Sequence, residues 1–226
     1  MSRVHDMGGR WGDGAVRPEP DGIARFAEDW HPRALALTLA AGALGAWSID
    51  AARHARESLA PADYARFSYY EKWLAALADL LVARGMVSAA ELRDGPAETE
   101  TAPAPHPRRL AAADVDRTLA RRAPYSRPGP APAFAPGDRV RTRLPARNAF
   151  IPGGHTRLPG YAAGQVGRVV ISHGPHILPD ANAHGLGEAA EPLYTVAFDA
   201  ADLWGVAERA GDEVTADLWQ SYLAPA

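Results

Sequence analysis

The sequence contains no cysteine among its 226 residues. A chain without thiols forms no disulfide framework, supplies no thiolate nucleophile and holds no cysteine-ligated zinc or iron-sulfur cluster by itself. Any metal centre built on thiolates would therefore belong to a partner. Because the first residues also lack the apolar core of a secretory signal, we expect a cytoplasmic protein in a reducing compartment.

An excess of positive charge is missing as well. Lys and Arg number 24 against 27 Asp and Glu, a formal net charge of -3. Proteins that bind by neutralising phosphates need a basic surface, so nucleic acid is not an expected partner. The longest uncharged run, residues 34–49, is shorter than the roughly 20 apolar residues that span a bilayer, which indicates no transmembrane helix and no membrane partner.

Motifs of independent catalysis are also lacking. The glycines of residues 8–14 neither follow a predicted strand nor open a helix, so they do not indicate a dinucleotide site or a P-loop. No Gly-x-Ser-x-Gly elbow occurs, which argues against a hydrolytic triad. His173 and His176 are separated by Gly-Pro, which breaks the helix that would put both rings on one side. The sequence predicts no metal ligand set in this chain.

Composition divides the chain into four expected segments of an α+β protein. Residues 1–22, rich in glycine, predict an extended arm that lies on another surface. Residues 23–102 carry leucines and aromatic residues at helical spacing and predict a helical domain. Dense prolines in residues 103–136 predict a linker with one short helix. Alternating apolar residues with Gly and Pro punctuation in residues 137–226 predict a small antiparallel β-barrel. The 47% hydrophobic content is enough to bury a core in such domains.

The helical segment carries the clearest local signals. Ser48 is placed to cap the helix that follows it. From Pro61 onward, aromatic and leucine side chains recur at spacings of three and four, which predicts one long helix that ends at Gly85. Ser88 and Glu91 have the spacing of a capping box and predict a further short helix.

An aromatic cluster, Tyr69-Tyr70-Glu71-Lys72-Trp73, falls within the long helix, and Arg53 lies on the helix before it. One interpretation is a packed aromatic core beside a solvated arginine. The other is a site in which rings and a guanidinium line one pocket. The residues by themselves leave both interpretations open.

Separate motifs along the chain, in one order, resemble those of the β subunit of nitrile hydratase. The N-terminal ones are His5-Asp6-Met7-Gly8-Gly9, residues 26–30, Asp50-Ala51-Ala52-Arg53 with Glu57, and Tyr69-Tyr70-x-x-Trp73. The C-terminal ones are Gly154-His155-Thr156-Arg157, residues 161–167, His173-Gly174, Pro179-Asp180-x-x-x-His184-Gly185-x-Gly187-Glu188, Leu193-Tyr194-Thr195-Val196, Leu203-Trp204-Gly205 and residues 217–223. So many motifs in one order are hard to obtain by chance.

The resemblance implies an extended N-terminal arm and a helical domain, followed by a C-terminal SH3-like antiparallel β-barrel. It implies that the chain works with a nitrile hydratase α subunit, as an αβ heterodimer or α2β2. In that family the α subunit holds cobalt(III) or non-haem iron(III) through cysteines oxidised to sulfenic and sulfinic acids. The metal acts as a Lewis acid, and small nitriles are hydrated to amides, a hydro-lyase reaction. No cofactor would then be bound by this chain alone.

The resemblance also implies roles for particular residues. Arg53 and Arg157 match the two family arginines that hydrogen-bond the oxidised cysteine oxygens of the partner. A guanidinium suits that role because it is planar, stays charged and donates two parallel hydrogen bonds to anionic oxygens. The residues expected along the substrate channel are Tyr69, Tyr70, Trp73, Ile49 and Ala52.

Two acidic residues are expected near Arg53. Asp50 and Glu57 either orient Arg53 or its neighbours, or form ordinary ion pairs on the helix surface. The family often carries Asp-Glu-Phe-Arg where this chain has Asp50-Ala51-Ala52-Arg53. The missing phenyl group alters the shape of the pocket and with it the range of nitriles that fit.

Two other functions remain in competition. A subunit of a thiocyanate hydrolase-like enzyme is the nearer one, but there the two halves resemble separate short subunits, whereas here they form one chain. A non-catalytic activator or binding protein related to the β subunit is the other. Such activators resemble only the helical half and lack the strand-rich part, residues 137–226. The sequence therefore favours the nitrile hydratase β subunit.

Overall fold

The structure is a computed structural model that describes residues 18, 20, 22, 26–97, 107–120, 125–147, 151 and 154–226. Apart from residues 18, 20 and 22, the predicted arm lies outside the described residues. The described residues fall into two compact units, a helical unit within residues 11–122 and a sheet unit within residues 123–226. The boundaries of the four predicted segments stay predictions.

The helical unit is built from short helices. They are α1 (His31–Ala43), α2 (Ile49–Glu57), α3 (Pro61–Arg66), α4 (Tyr69–Ala83), α5 (Ala89–Asp94) and, after a 3-10 turn (Ala112–Asp114), α6 (Val115–Ala120). α4 packs against both α1 and α2, and Ala34, Ala76 and Leu77 are buried where these helices meet. No helix in the described ranges is long and apolar enough to cross a membrane.

Side-chain caps mark the start of three helices of this unit, α2, α4 and α5. The Ser48 hydroxyl accepts a hydrogen bond from the backbone N–H of Ala51 at 3.1 Å, which confirms the predicted cap of α2. The predicted capping box at Ser88 is confirmed as well. The prediction of one helix from Pro61 onward is wrong, because Ser68 forms a capping box of its own and starts α4 at the next residue.

The described residues of the sheet unit form an antiparallel sheet of five strands. They are β1 (Arg139–Thr142), β2 (Val166–His176), β3 (Glu191–Asp199), β4 (Glu213–Trp219) and β5 (Leu223–Pro225), in the spatial order β4-β3-β2-β1-β5. Two short helices, α7 (Pro179–Ala183) and α8 (Ala200–Trp204), lie in the connections on either side of β3. Helices followed by an antiparallel sheet confirm the predicted α+β class.

The predicted closed, SH3-like barrel is not confirmed. β4 and β5 are the two edge strands, and no pairing joins them within residues 125–147, 151 and 154–226. The chain passes from one edge to the other through a single 3-10 turn, Gln220–Tyr222. That turn places the side chain of Tyr222 in the core of the unit, where it is fully buried.

The core of the sheet unit is made of side chains that alternate along the strands. Its members include Val140, Val169, Tyr194, Val196, Phe198, Leu218 and Tyr222. Leu158, which follows the segment 154–157 outside any strand, is 1% exposed and belongs to the same core. The segment that carries Arg157 is therefore anchored to the core at one end.

Candidate functional site

A cavity of about 420 Å³ opens between helices of the helical unit. Its lining residues are Ile49, Arg53, Arg56, Glu57, Tyr64, Tyr69, Lys72 and Trp73. Residues of α2 and α4 reach it because positions three and four apart share a helix face. The volume lies within the range of small-molecule sites, which makes the cavity the candidate site of this unit.

Arg53 is held at the cavity by a buried carboxylate. Its Nη1 donates a hydrogen bond to Oδ1 of Asp50 at 3.0 Å, one helical turn earlier. The Asp50 side chain is 2% exposed, whereas that of Arg53 is 41% exposed. Asp50 also lies in the first turn of α2, where the helix dipole favours negative charge. One guanidinium nitrogen of Arg53 is thus bound to Asp50, while the side chain as a whole remains partly exposed.

Arg56 is a second cation in the cavity and was not anticipated from the sequence. Its guanidinium carbon lies 4.6 Å from the ring centroid of Trp73. Burial lowers the pKa of Arg56, and the neighbouring charge of Arg53 lowers it further, but a guanidinium stays protonated. Arg56 follows Arg53 by one helical turn, and that spacing is the signal that could have revealed it.

Aromatic rings form the apolar walls of the cavity. Tyr69 and Trp73 lie 5.4 Å apart between ring centroids. Lys72 Nζ lies 4.3 Å from the ring centroid of Tyr64, and sequence analysis assigned neither residue to the site. Burial raises the pKa of Tyr64, and the charge of Glu57 raises it further. The cavity is lined by three cationic side chains, Arg53, Arg56 and Lys72, and one carboxylate, Glu57. This balance of charge favours a neutral or anionic ligand over a cationic one.

Not every residue expected in the channel lines this cavity. Tyr70 packs against His31, with ring centroids 4.7 Å apart, and it does not line the cavity, although its ring also contacts that of Tyr69 at 5.2 Å. Ala52 lines a much smaller hollow, which shares Arg56 and Trp73 with the cavity. Glu57 Oε2 lies 3.9 Å from His54 Nδ1, so this carboxylate meets a histidine as well as facing the cavity.

The other predicted arginine, Arg157, belongs to the sheet unit. Its side chain is exposed, and its backbone N–H donates a hydrogen bond to the phenol oxygen of Tyr222 at 3.0 Å. Among the described residues, none accepts a hydrogen bond from its guanidinium. His155, two positions earlier, is buried with a φ of 61°, an uncommon value for a residue other than glycine.

The phenol of Tyr222 links this segment to a buried acid. Its O–H donates a hydrogen bond to Oδ1 of Asp180, which is 1% exposed. Burial raises the pKa of Asp180 to about 6, although the hydrogen bond from Tyr222 and the charge of His155 act in the opposite direction. Burial and the charge of Asp180 both raise the pKa of Tyr222. Sequence analysis quoted Asp180 and Tyr222 only as parts of motifs and missed that they meet.

The raised pKa of Asp180 predicts how stability changes with pH. Above about pH 6 the folded chain holds the buried carboxylate in its charged form, at a cost that the unfolded chain avoids. The folded state binds the proton more tightly, so the free energy of unfolding falls as pH rises from about 4 to about 6.

Asp180→Asn is therefore expected to raise the free energy of unfolding by about 2 to 3 kcal/mol at about pH 7.5 and to change it little at about pH 4. Asparagine cannot ionise, but it keeps an oxygen that accepts from Tyr222. Urea unfolding of both proteins at the two pH values measures the difference. His155 and Glu191, whose charges also act on Asp180, are present in both proteins. A difference that does not vary with pH would contradict the prediction.

The two histidines considered as metal ligands form hydrogen bonds within the sheet unit. Nε2 of His173 lies 2.8 Å from Oγ1 of Thr195. Nε2 of His176 lies 3.2 Å from Oγ of Ser126. Each ring therefore has one nitrogen that already has a hydroxyl partner.

Comparison with known proteins covers nearly the whole sequence. Residues 1–116 match the family model described as nitrile hydratase beta subunit, N-terminal, and residues 124–225 match nitrile hydratase beta subunit, C-terminal. The low-molecular weight cobalt-containing nitrile hydratase subunit beta of Rhodococcus rhodochrous is 37% identical over 236 residues, with 100% of both chains covered.

Two further relatives are also named as nitrile hydratase beta subunits. The nitrile hydratase subunit beta of Pseudomonas putida is 37% identical over 229 residues, again with 100% of both chains covered. The cobalt-containing nitrile hydratase subunit beta of Pseudonocardia thermophila is 33% identical, covering 99% of this chain and 96% of the relative. A solved apo-enzyme of thiocyanate hydrolase from Thiobacillus thioparus is 28% identical with a TM-score of 0.37, covering 42% of this chain and 76% of that one.

Proposed function

This chain belongs to the nitrile hydratase β-subunit family, and we propose that it forms one half of an enzyme that hydrates nitriles to amides. The observation that carries the proposal is that both family models, N-terminal and C-terminal, match this single chain in order. The other half is a nitrile hydratase α subunit, in an αβ heterodimer or α2β2.

The metal of the proposed enzyme belongs to the α subunit. Two relatives are named as cobalt-containing, and cobalt(III) or non-haem iron(III) is the proposed ion. This chain has no cysteine, so it does not supply thiolate ligands. When bound in the partner, the metal supplies Lewis acidity toward the nitrile or water.

The arginines of this chain contribute hydrogen-bond donors. We propose that Arg53 and Arg157 donate charge-assisted hydrogen bonds to the anionic oxygens of oxidised cysteines in the α subunit. Arg53 offers the part of its guanidinium that Asp50 leaves exposed. The side chain of Arg157 is exposed, which makes its guanidinium accessible to a partner group. These bonds would fix the orientation of the groups around the metal.

The cavity of the helical unit forms part of the proposed substrate channel. A nitrile is small, neutral and dipolar, so it fits a cavity that combines apolar rings with fixed positive charges. Tyr69 and Trp73 supply the rings, and Ile49 extends the apolar wall. Arg56 is held over a ring, where its charge would attract the nitrogen end of the nitrile.

Co-expression with a nitrile hydratase α subunit tests the function. The purified complex is expected to contain cobalt or iron and to convert nitriles to amides, whereas this chain alone is expected to bind no metal stoichiometrically and to hydrate no nitrile. The α subunit alone and the complex with thiocyanate as substrate are the controls. Tightly held metal together with activity in the isolated chain would contradict the proposal. A chain that stays monomeric and does not associate with the α subunit in sedimentation experiments would contradict it as well.

A further inference from the structure

The segment that carries Arg157 has no regular secondary structure, yet it is held at several points. Leu158 is buried in the core of the sheet unit. His184 Nε2 lies 3.3 Å from the carbonyl oxygen of Gly154. Between these two anchors, the backbone of Arg157 is held by the phenol of Tyr222.

The Tyr222 phenol connects three parts of the chain. Its oxygen accepts from the Arg157 N–H at 3.0 Å and is hydrogen-bonded by the Thr156 side chain. Its own proton is directed to Asp180. Each group thus defines the orientation of the next, from a buried carboxylate to the backbone of an exposed arginine.

We infer that Tyr222, itself oriented by Asp180, is a positioning residue that sets the backbone from which the Arg157 guanidinium reaches the partner subunit. The inference rests on the proposed function, because it gives Arg157 a target in the α subunit. Tyr222 touches no substrate. It acts only through the place and direction that it gives Arg157.

The alternative is that Tyr222 and Asp180 serve core packing alone. Apolar side chains would fill the same space with less loss of stability, because a buried carboxylate costs free energy on desolvation. Oδ2 of Asp180 is buried and has no hydrogen-bond partner among the described residues, which adds to that cost. The hydrogen bonds from Tyr222 to Asp180 and from Arg157 to Tyr222 exist despite this cost. They favour a role in orienting the Arg157 backbone, which apolar side chains would not provide.

Tyr222→Phe in the assembled αβ enzyme tests the inference, with Tyr194→Phe as the matched control. Tyr194 is also a buried residue, and its hydroxyl accepts from the Ala133 N–H at 3.0 Å and donates to Gln220 at 2.8 Å, partners that lie outside residues 154–158. Both variants remove one hydrogen-bonded hydroxyl, but Tyr222→Phe also removes the donor from the buried Asp180 carboxylate, so it is expected to lose more stability than Tyr194→Phe. The two variants are therefore compared by kcat of the folded, assembled enzyme. Only Tyr222→Phe is expected to lower kcat, by about five-fold or more, because a small misplacement of a contact residue is costly. KM is expected to change by less than about two-fold, since no substrate contact is lost.

A second set of variants separates positioning from loss of structure. If Tyr222 acts through Arg157, then Tyr222→Phe lowers kcat in the native background and has no further effect in Arg157→Lys. Hydrogen exchange of the backbone amides in residues 154–158 gives a readout that does not depend on activity, and it is expected to be faster in Tyr222→Phe than in Tyr194→Phe.

If Tyr222→Phe does not fold, Asp180→Asn and Asp180→Leu replace it. Asparagine keeps an acceptor for the phenol, so Asp180→Asn is expected to retain more turnover than Asp180→Leu.

Each outcome decides a different claim. Equal kcat in Tyr222→Phe and Tyr194→Phe, with a reduced kcat in Arg157→Lys, would overturn the inference and leave the proposed function in place. Multiplicative effects of Tyr222→Phe and Arg157→Lys would also overturn it. Full activity of Arg157→Lys with normal metal content would instead remove the proposed role of Arg157.

Discussion

Replacing Arg157 by lysine is expected to lower turnover at saturating substrate by about ten-fold or more. Lysine keeps the positive charge but loses the planar fork that donates two parallel hydrogen bonds. Loss of one charge-assisted bond costs about 1.5 to 3 kcal/mol, which corresponds to that factor. Stability is expected to change little, because the side chain is exposed and lysine retains the backbone N–H that binds Tyr222.

Arg168→Lys is the matched control for this prediction. Arg168 lies on β2 of the same unit, is half exposed and pairs with Glu213 at 3.0 Å. Exposed pairs of this kind contribute little, so turnover is expected to be unchanged. Metal content is measured in each preparation. Full activity of Arg157→Lys with normal metal content would rule out the assigned role, whereas joint loss of metal and activity would place Arg157 in the maturation of the metal centre.

Arg53→Lys is expected to lower turnover by a similar factor, about ten-fold or more. The guanidinium of Arg53 is long and forked enough to meet Asp50 with one nitrogen and a partner oxygen with another. A lysine ammonium is a single point charge, so attraction to the buried Asp50 would draw it away from the partner. kcat at saturating nitrile, with metal analysis, measures the effect.

Arg66→Lys provides the comparison for the helical unit. Arg66 is two-thirds exposed and pairs with Asp63 at 2.8 Å, also one helical turn away. If Arg53 were merely a solvated helix residue, both lysine variants would change stability by less than about 0.5 kcal/mol and leave the rate alone. A rate in Arg53→Lys equal to that in Arg66→Lys would therefore refute the role proposed for Arg53.

Several features could be predicted from the sequence because they depend on neighbours along the chain. The cap at Ser48 needs only a hydroxyl and a backbone N–H three residues on, and the capping box at Ser88 adds the Glu91 carboxylate that accepts from the Ser88 N–H. Spacings of three and four place Arg53 on one face of α2 and bring Tyr69 and Trp73 to one face of α4. The absence of cysteine excludes a thiolate metal site in this chain whatever its fold.

Other features of the helical unit depended on how the helices pack. A periodic pattern continues across Phe67 and Ser68, but the capping box of Ser68 ends the register and starts a new helix. Tyr69 and Tyr70 are adjacent and chemically alike, and only the position of α1 decides that Tyr70 packs against His31 while Tyr69 faces the cavity. Arg56 sits on Trp73 because α2 packs against α4. Its spacing from Arg53 indicates that both share a helix face, but not which ring Arg56 stacks on.

The connection from Asp180 through Tyr222 to Arg157 was decided by tertiary structure alone. Asp180 is 42 residues from Tyr222 in the sequence, and Arg157 is 65 residues from it. Periodicity and capping rules describe contacts within a few residues, so they determined the helices and the strand-rich half. A hydrogen bond between distant segments forms only after the sheet has brought the turn Gln220–Tyr222 beneath the Arg157 segment. The sequence therefore supplied the arginine, and the fold supplied the groups that hold it in place.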